Sequence, residues 1–387
     1  MSNTETGGFT VRRFTVILGL ALLAVTSAQA QRGSWQSEIG IQGGFSRFKP
    51  SGSGAKDHVD LFDVPSFSLS PLNHSYGGIF AIIPWRDKIA IEPTLSSAEL
   101  SAGGTTFSLA TLGVRADYAL TPKIYAAAGG TLGYVDAGGQ HESQLGIQAA
   151  VGYRLHLASG MNGRVEANWQ TTKKANLIGP ANVYSLLFGV SARASGGATA
   201  RPARSTSAWD RVIGVQGGYS HIHAIGSGAG DITILSFPGW GGGLTTSILG
   251  PVVLSVAPTM FAIFPAGRKL AVEPGIDIHR IQSQGTTAFT ANISARLDYA
   301  VSGGWYAAAG GNLVYTKATP GSGYFNDPAK GSVSQPGLNL AWGYHFHLAG
   351  AFGGRVEANY VMLKQNKDLG LATNTFGLMF GATMPLR

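Results

Sequence analysis

Two seven-residue stretches, GRVEANW at 163–169 and GRVEANY at 354–360, place arginine, glutamate and asparagine at every second position. In a β-strand, alternate side chains share a face, so the three polar groups lie on one side and Val, Ala and the aromatic ring on the other. Arginine and carboxylate groups on one face form charge-assisted ion pairs, or in an open cleft move protons. Which of these they do depends on whether the polar face points to water or to the protein interior.

Charged residues alternate with apolar ones elsewhere in the chain, and the two halves match each other. Because a buried unpaired charge is very costly, we expect these residues to form an interlocked, charge-balanced network in a narrow interior. The first set contains three cations and three anions, and it sums to zero charge. The first set is Glu92, Arg115, Asp117, Arg154, Arg164 and Glu166, and the second is Glu273, Arg296, Asp298, His345, Arg355 and Glu357.

Other clusters are weaker candidates for chemistry. His156, His345 and His347 suggest a metal site or a histidine base, but hydrogen-bonded histidines that merely fill a polar interior are commoner. Asp57, Asp60 and Asp63 do not have the spacing of a calcium-binding loop and are expected in a solvated loop. No Ser, His and acidic residue come together in both halves as acyl transfer would require. We therefore expect no enzyme activity, no cofactor and no metal.

The composition restricts the class of protein. Only 12% of residues are charged, 44% are hydrophobic, and the 387 residues include 56 Gly and no Cys. A disordered chain would be richer in charge, and a disulfide scaffold would need cysteine. The net charge of +8 is spread along the chain rather than clustered on one face, so we expect no nucleic-acid partner.

The N-terminus carries an export signal. Arg12 and Arg13 precede the apolar run 14–25, and Ala28-Gln29-Ala30 supplies small residues at a cleavage position. This pattern predicts a signal peptide over residues 1–30. Later in the sequence no run of 18 apolar residues occurs, so no membrane-spanning helix is expected in the exported chain.

The remaining sequence contains an internal repeat. Its period predicts one unit over 31–193, a second over 209–387, and a Gly/Ala/Ser/Pro-rich linker over 194–208. The clearest pairs are IGIQGGFS (39–46) with IGVQGGYS (213–220), FAIIP (80–84) with FAIFP (261–265), and IYAAAGG (124–130) with WYAAAGG (305–311).

Each unit contains eight alternating segments of about ten residues or more, the length of a tilted strand that crosses a bilayer. Short turns alternate with long connections, and the two copies differ in length at long connections. The predicted strands are 36–48, 75–85, 88–99, 105–120, 123–136, 143–158, 163–174 and 180–193, then 210–222, 252–265, 269–280, 286–301, 304–317, 334–349, 354–364 and 372–385.

These features resemble two tandem small outer-membrane β-barrel domains of the OmpA/OmpX type. The resemblance implies an all-β, antiparallel, up-and-down transmembrane barrel in the bacterial outer membrane, with tight turns in the periplasm. It also implies that the apolar strand faces contact lipid and that the charged faces point into the lumen, with a structural or surface-interaction role. The chain departs from the pattern at its C-terminus, FGLMFGATMPLR, where such barrels often end on an aromatic residue.

Two alternatives remain at this stage. Sixteen strands can close as one wide barrel, which would make a passive porin, although the fifteen-residue linker is longer than the tight turn that a single barrel needs. Some eight-stranded barrels are lipid-modifying enzymes, which is a less favoured interpretation.

The long connection Ile232 to Val256 is apolar where its counterpart in the first unit is charged. Exposed apolar surface of this extent often marks an interaction site. Phe237 and Trp240 are therefore contact candidates for lipopolysaccharide acyl chains, a neighbouring barrel or a surface ligand. The alternative is that the segment ILGPVVLSV only lengthens the following strand.

Overall fold

Alternating β-branched, aromatic and small residues produce an all-β chain in the computed structural model. The predicted signal peptide and residues 194–206 of the predicted linker lie outside the described residues. The structure describes residues 34–51, 58–64, 78–102, 105–137, 140–158, 161–174, 180–193, 207–225, 231–237, 242–245, 252–255, 258, 260–283, 286–319, 331–349, 352–365 and 372–386.

The described residues of the first unit form nine strands, and eight of them coincide within a few residues with the predicted strands. The ninth, β2, falls in a segment that was expected to be a solvated loop, and that expectation is wrong. The strands are β1 Glu38–Pro50, β2 Val59–Val64, β3 Gly78–Arg86, β4 Ile89–Ala102, β5 Thr105–Ala119, β6 Ile124–Ala137, β7 Gln140–Ala158, β8 Met161–Thr172 and β9 Ala181–Arg193.

The second unit contains eleven described strands. The predicted strand 252–265 is divided: residues 252–255 pair with 242–245 in a separate two-stranded sheet, so they do not lengthen the following strand. The strands are β10 Val212–Ile225, β11 Ile232–Phe237, β12 Gly242–Thr245, β13 Val252–Ser255, β14 Met260–Pro265, β15 Leu270–Ser283, β16 Thr286–Ser302, β17 Trp305–Thr319, β18 Gly331–Ala349, β19 Phe352–Leu363 and β20 Ala372–Pro385.

Two eight-stranded rings close at the end of the molecule that carries the tight turns, here called the turn end. The first ring runs through β1, β3, β4, β5, β6, β7, β8 and β9, and the pairing of β1 with β9 closes it. The second ring runs through β10 and β14 to β20, and the pairing of β10 with β20 closes it. All pairings are antiparallel, as in an up-and-down barrel.

At the opposite end, here called the loop end, the two rings share strands. The short strand β2 pairs on one side with β1 of its own ring and on the other side with β15 of the second ring. Its counterpart β11 pairs with β10 of its own ring and with β4 of the first ring. We call β2 and β11 the exchange strands, because each one connects its own ring to the other.

The exchange strands change the number of strands around the wall. The order of neighbours at the loop end is β1, β2, β15 to β20, β10, β11, β4 to β9 and back to β1, which is a closed set of sixteen. The prediction of two eight-stranded barrels is confirmed at the turn end. A single sixteen-stranded barrel along the whole length is excluded, because β1–β3 and β10–β14 pairings close each ring separately.

Side chains on the outer surface of both rings are apolar over the middle of the strands. Val114, Ile147, Val151, Leu297 and Phe380 are exposed, although each is a large hydrophobic residue. The facing residues inside are polar and buried, which is the inverse of a soluble barrel. This arrangement is stable only where lipid covers the outside.

The polarity reverses at the loop end. Inside the first ring, Phe48, Val59, Leu61, Val183 and Leu187 form a buried apolar cluster. Neighbouring outward positions on β1 and β2 carry exposed or half-buried charges, such as Arg47 and Asp60. The strands therefore extend beyond the apolar zone into a part of the molecule that is built like a water-soluble barrel.

The two rings also touch through their outer surfaces near the turn end. Ala81 of β3, Ala192 of β9 and Phe352 of β19 form a buried apolar cluster, with Ile39 and Met384 packed against it. Among the described residues no helix is long and apolar enough to cross a membrane.

Candidate functional site: two buried ion networks

Strand register brings the predicted charged residues together inside each ring. Glu92 of β4 lies opposite Arg115 of β5, and Glu273 of β15 lies opposite Arg296 of β16. The repeated GRVEAN segment supplies a second arginine and a second glutamate from β8 or β19. Since inward positions recur every second residue, three strands suffice to place five charged groups in one layer.

The first network is centred on Arg115. Its guanidinium donates to both carboxylate oxygens of Glu166, at 2.7 and 2.5 Å, and lies 3.0 Å from Glu92. Its Nε lies 3.0 Å from the carboxylate of Asp117. Arg164 donates to the two oxygens of Glu92, at 2.5 and 3.1 Å. All five side chains are buried.

The second network repeats this geometry. Arg296 donates to Glu357 through Nη1 at 2.9 Å and through Nη2, and it lies 2.9 Å from Glu273 and 3.2 Å from Asp298. Arg355 donates to Glu273 at 2.6 Å and lies 3.8 Å from Glu357. These five residues are also buried.

Uncharged partners complete each network, and the sequence reasoning did not find them. The Tyr125 hydroxyl donates to Glu166 at 2.6 Å, and the Tyr306 hydroxyl donates to Glu357 at the same distance. Each second arginine also donates to a glutamine of the first strand and stacks 3.5 Å from a phenylalanine ring centroid. The signal was present in the repeated blocks IGIQGG, FAIIP and YAAAGG, because these partners are Gln42, Phe80 and Tyr125, then Gln216, Phe261 and Tyr306.

Arg154 was expected in the first network, and this prediction is wrong. Arg154 lies directly opposite Arg164 across β7 and β8, so the two like charges turn to different carboxylates. Its guanidinium donates to Glu38 at 2.6 Å, nearer the turn end. The layer therefore contains three carboxylates and two guanidiniums, and the expected exact charge balance is not found.

In each ring a buried tryptophan that precedes the first strand lies between the network and the turn end. Trp35 donates to the carbonyl of Lys88 and packs edge-on against Tyr125 with centroids 5.6 Å apart. Trp209 donates to the carbonyl of Lys269 and packs against Tyr306 at 5.5 Å. These contacts place an aromatic layer between each ion network and the turn end.

Glycines of the AAAGG blocks make room for the central arginines. A Cβ atom added to Gly129 would lie 2.5 Å from the Cβ of Arg115, and one on Gly310 would lie 2.5 Å from the Cβ of Arg296. Both distances are too short for non-bonded carbon atoms. Only glycine therefore allows these strands to pair while the arginines point inward.

The remaining candidates do not converge on a second site. His156 and His347 are exposed, whereas His345 is half-buried between Trp209 and Tyr306. Phe237 ends β11 opposite Ser97 of β4, and Trp240 lies outside the described residues. Within the described ranges no group of three or more His, Cys, Asp or Glu residues has the geometry to hold a metal ion.

The outward apolar surface and the charged interior together define a membrane-spanning β-barrel protein. No protein-family model matches the chain, and no curated protein matches it. Solved structures with a similar strand arrangement include a bacterial polysaccharide outer membrane secretin (7% identity, 91% of this chain and 99% of that chain covered, TM-score 0.29). A second is a Pseudomonas aeruginosa FadL homologue (12% identity, 91% of this chain and 90% of that chain covered, TM-score 0.26). A third is the NanC porin (8% identity, 90% of this chain and 100% of that chain covered, TM-score 0.20). Similarity at this level carries no argument about what the chain binds or conducts.

Proposed function

We propose that the chain is an integral protein of the bacterial outer membrane whose two lumens are closed by the ion networks, with a structural or surface-interaction role. One observation carries the proposal: each network joins three strands across the interior of its ring through fully buried ion pairs, of which Arg115 with Glu166 and Arg296 with Glu357 are the centres.

The outer-membrane assignment is supported by the barrel type. Closed antiparallel barrels with an apolar exterior are the β-sheet form that satisfies all backbone hydrogen bonds in lipid. Such barrels in bacteria place short turns in the periplasm and longer loops outside. The predicted signal peptide at residues 1–30 agrees with export to that location.

Closure of the lumen is supported by the narrow width of an eight-stranded barrel and by three successive layers of side chains in its interior. An eight-stranded barrel has an interior just wide enough for its own side chains. In the first ring, the Trp35 layer, the ion network and the apolar cluster around Phe48 and Leu61 follow one another from the turn end to the loop end. A solute would have to displace all three layers to pass.

Single-channel recording in planar bilayers tests this function. We expect the wild-type protein to be silent or to show only rare, small openings. A double variant, Arg115→Ser with Glu166→Ser, removes the centre of the first network and should produce frequent small conductance steps. An outward change, Val151→Ala, is the matched control and should remain silent.

Large, stable conductance steps from the wild-type protein would exclude closed lumens and would favour a passive porin. Folding of each variant is checked first by its shifted migration on a gel without heating. This separates a missing channel from a missing barrel.

A further inference from the structure

The outer surface differs in charge between the two places where the exchange strands join the rings. The first junction consists of β8, β9, β1, β2 and β15, and the second of β19, β20, β10, β11 and β4. The two sets are equivalent in strand order and in pairing. Differences between them therefore reflect side chains and not architecture.

A row of aromatic side chains fixes the height of the first junction relative to the membrane. Trp169 of β8 lies opposite Tyr184 of β9, which lies opposite Arg47 of β1. Tyr184 is exposed on the outer surface. Because Trp and Tyr collect at membrane–water interfaces, Arg47 lies at the level of lipid headgroups, and Lys49 is about 7 Å further towards the loop end.

Positive charge accumulates at this level and above it. Lys49 and the pair Lys173 and Lys174, which follows β8, are exposed. Because β2 pairs with β15 of the second ring, Arg280 of β15 also belongs to this surface. It lies opposite Phe62 of β2 and is exposed. Among the described outward-facing residues of these five strands, Asp60 is the one carboxylate, and it is bound by Arg47 at 2.7 and 2.8 Å.

The second junction carries fewer fixed cations, and among its described residues the exposed Lys364 after β19 is the equivalent of Lys173 after β8. His221 and His223 occupy the positions of Arg47 and Lys49, opposite Phe376 and Asn374 of β20. Asp231 contacts both histidines, at 3.6 and 2.7 Å. The acidic side chain of Glu99 on β4 also points outward at this junction, opposite Leu235 of β11. The same architecture thus carries a basic surface on one side and a weakly acidic one on the other.

We propose that the first junction binds the phosphate groups of a phosphorylated glycolipid in the outer leaflet. Arginine and lysine are the side chains that recognise phosphate, and clustered cations at the membrane surface attract anionic headgroups. The aromatic row packs beside the lipid while Lys49, Lys173 and Arg280 reach the phosphates above it. The inference rests on the proposed outer-membrane location, but it does not depend on whether the lumens are closed.

Binding of a diphosphoryl glucosamine-disaccharide lipid to the full chain in non-ionic detergent tests the proposal, with native mass spectrometry as the readout. The triple variant Lys49→Gln, Lys173→Gln, Arg280→Gln should bind about a hundredfold more weakly, since each cation near a charged membrane surface contributes roughly fivefold. The control variant Lys317→Gln, Lys364→Gln removes exposed cations of the second ring and should bind like the wild type. Lys49→Arg, Lys173→Arg should retain binding.

Three results would overturn the proposal. One is equal binding by the triple variant and the wild type. Another is equal binding of the dephosphorylated lipid, which would show that the acyl chains alone are recognised. A third is displacement of the lipid by an equal concentration of inorganic pyrophosphate, which would assign the surface to free phosphate. A conducting wild-type protein that still binds the lipid would refute closed lumens and leave this inference standing.

Discussion

Each ring contains its own copy of the same ion network, but the rings differ from each other at the turn end and at the loop end. At the turn end of the first ring, Arg154 bonds to Glu38 and lies 4.7 Å from the centroid of the Trp35 ring. In the second ring the counterpart of Arg154 is His345, which packs against Trp209, and the counterpart of Glu38 is Val212. Every charged residue of the first ring's network has an identical counterpart in the second ring. The comparison teaches that a buried ion pair is replaced when both partners change together, because neither charge is then left unpaired, whereas the five interlinked charges of the network would all have to change at once.

The largest expected effect is on the networks themselves. Glu166→Ala leaves Arg115 without its bidentate partner and Tyr125 without its acceptor, and it should lower the free energy of unfolding by about 3–5 kcal/mol. Glu357→Ala should cause a loss of the same size. Guanidinium unfolding in detergent micelles, followed by tryptophan fluorescence, measures both. Unchanged midpoints would show that the networks do not stabilise the barrel.

The exchange strands should be the next most sensitive region. Leu61 of β2 and Ile234 of β11 are buried inside the loop end of the molecule. Leu61→Ala and Ile234→Ala should each lower the free energy of unfolding by roughly 2–4 kcal/mol, because a large apolar side chain is lost from a packed site. Asp60→Ala on the outer face of β2 is the matched control. Small losses at Leu61 and Ile234 would mean that the exchange strands are only loosely packed.

A smaller effect is expected from the turn-end difference. Arg154→Met leaves the buried carboxylate of Glu38 with two donors among the described residues, Asn162 and Ser191, and it should cost about 1–3 kcal/mol. His345→Leu removes an aromatic contact but leaves no charge unpaired, and it should cost about 1 kcal/mol or less. The same unfolding measurement compares the two variants. Equal losses would contradict the view that the two ends are built differently.

The smallest effects belong to the outer salt bridges of the junctions. Asp60 is 16% exposed and binds Arg47 in a bidentate pair, whereas Asp231 is 53% exposed between two histidines. Asp60→Asn should cost up to about 1 kcal/mol and Asp231→Asn close to nothing, because exposed pairs are screened by water. Differential scanning calorimetry in detergent at neutral pH resolves the order. A larger loss at Asp231 would reverse this ranking.

Strand prediction succeeded where the alternation was long. Sixteen predicted segments correspond to the strands of the two rings, although the segment 252–265 is divided into β13 and β14. The exchange strands were missed because six alternating residues, such as VDLFDV and ITILSF, are too short to distinguish from a loop by periodicity. On one side each exchange strand pairs with a partner 130 or more residues away in the chain, from Ile232 opposite Ala102 to Ser283 opposite Val59.

The candidate site was predicted in part. Ten of the charged residues lie in the two networks because inward alternation and matched repeats place them on the same face. Arg154 was misplaced because alternation gives the face of a side chain and not its height along the strand or its direction. Gln42, Phe80 and Tyr125 were missed because uncharged side chains give no signal of ion-network membership until their neighbours are known.

The sequence by itself determined that the chain forms antiparallel strands, which of their faces is apolar, and that charged groups share the opposite face. These properties follow from residue type and from the period of two along each strand, and both are local. Only the tertiary structure decided that β2 pairs with β15 and β11 with β4, so that two rings become one wall at the loop end. Pairing depends on which strand edges meet in space, and an alternating segment fits any unpaired edge with matching polarity.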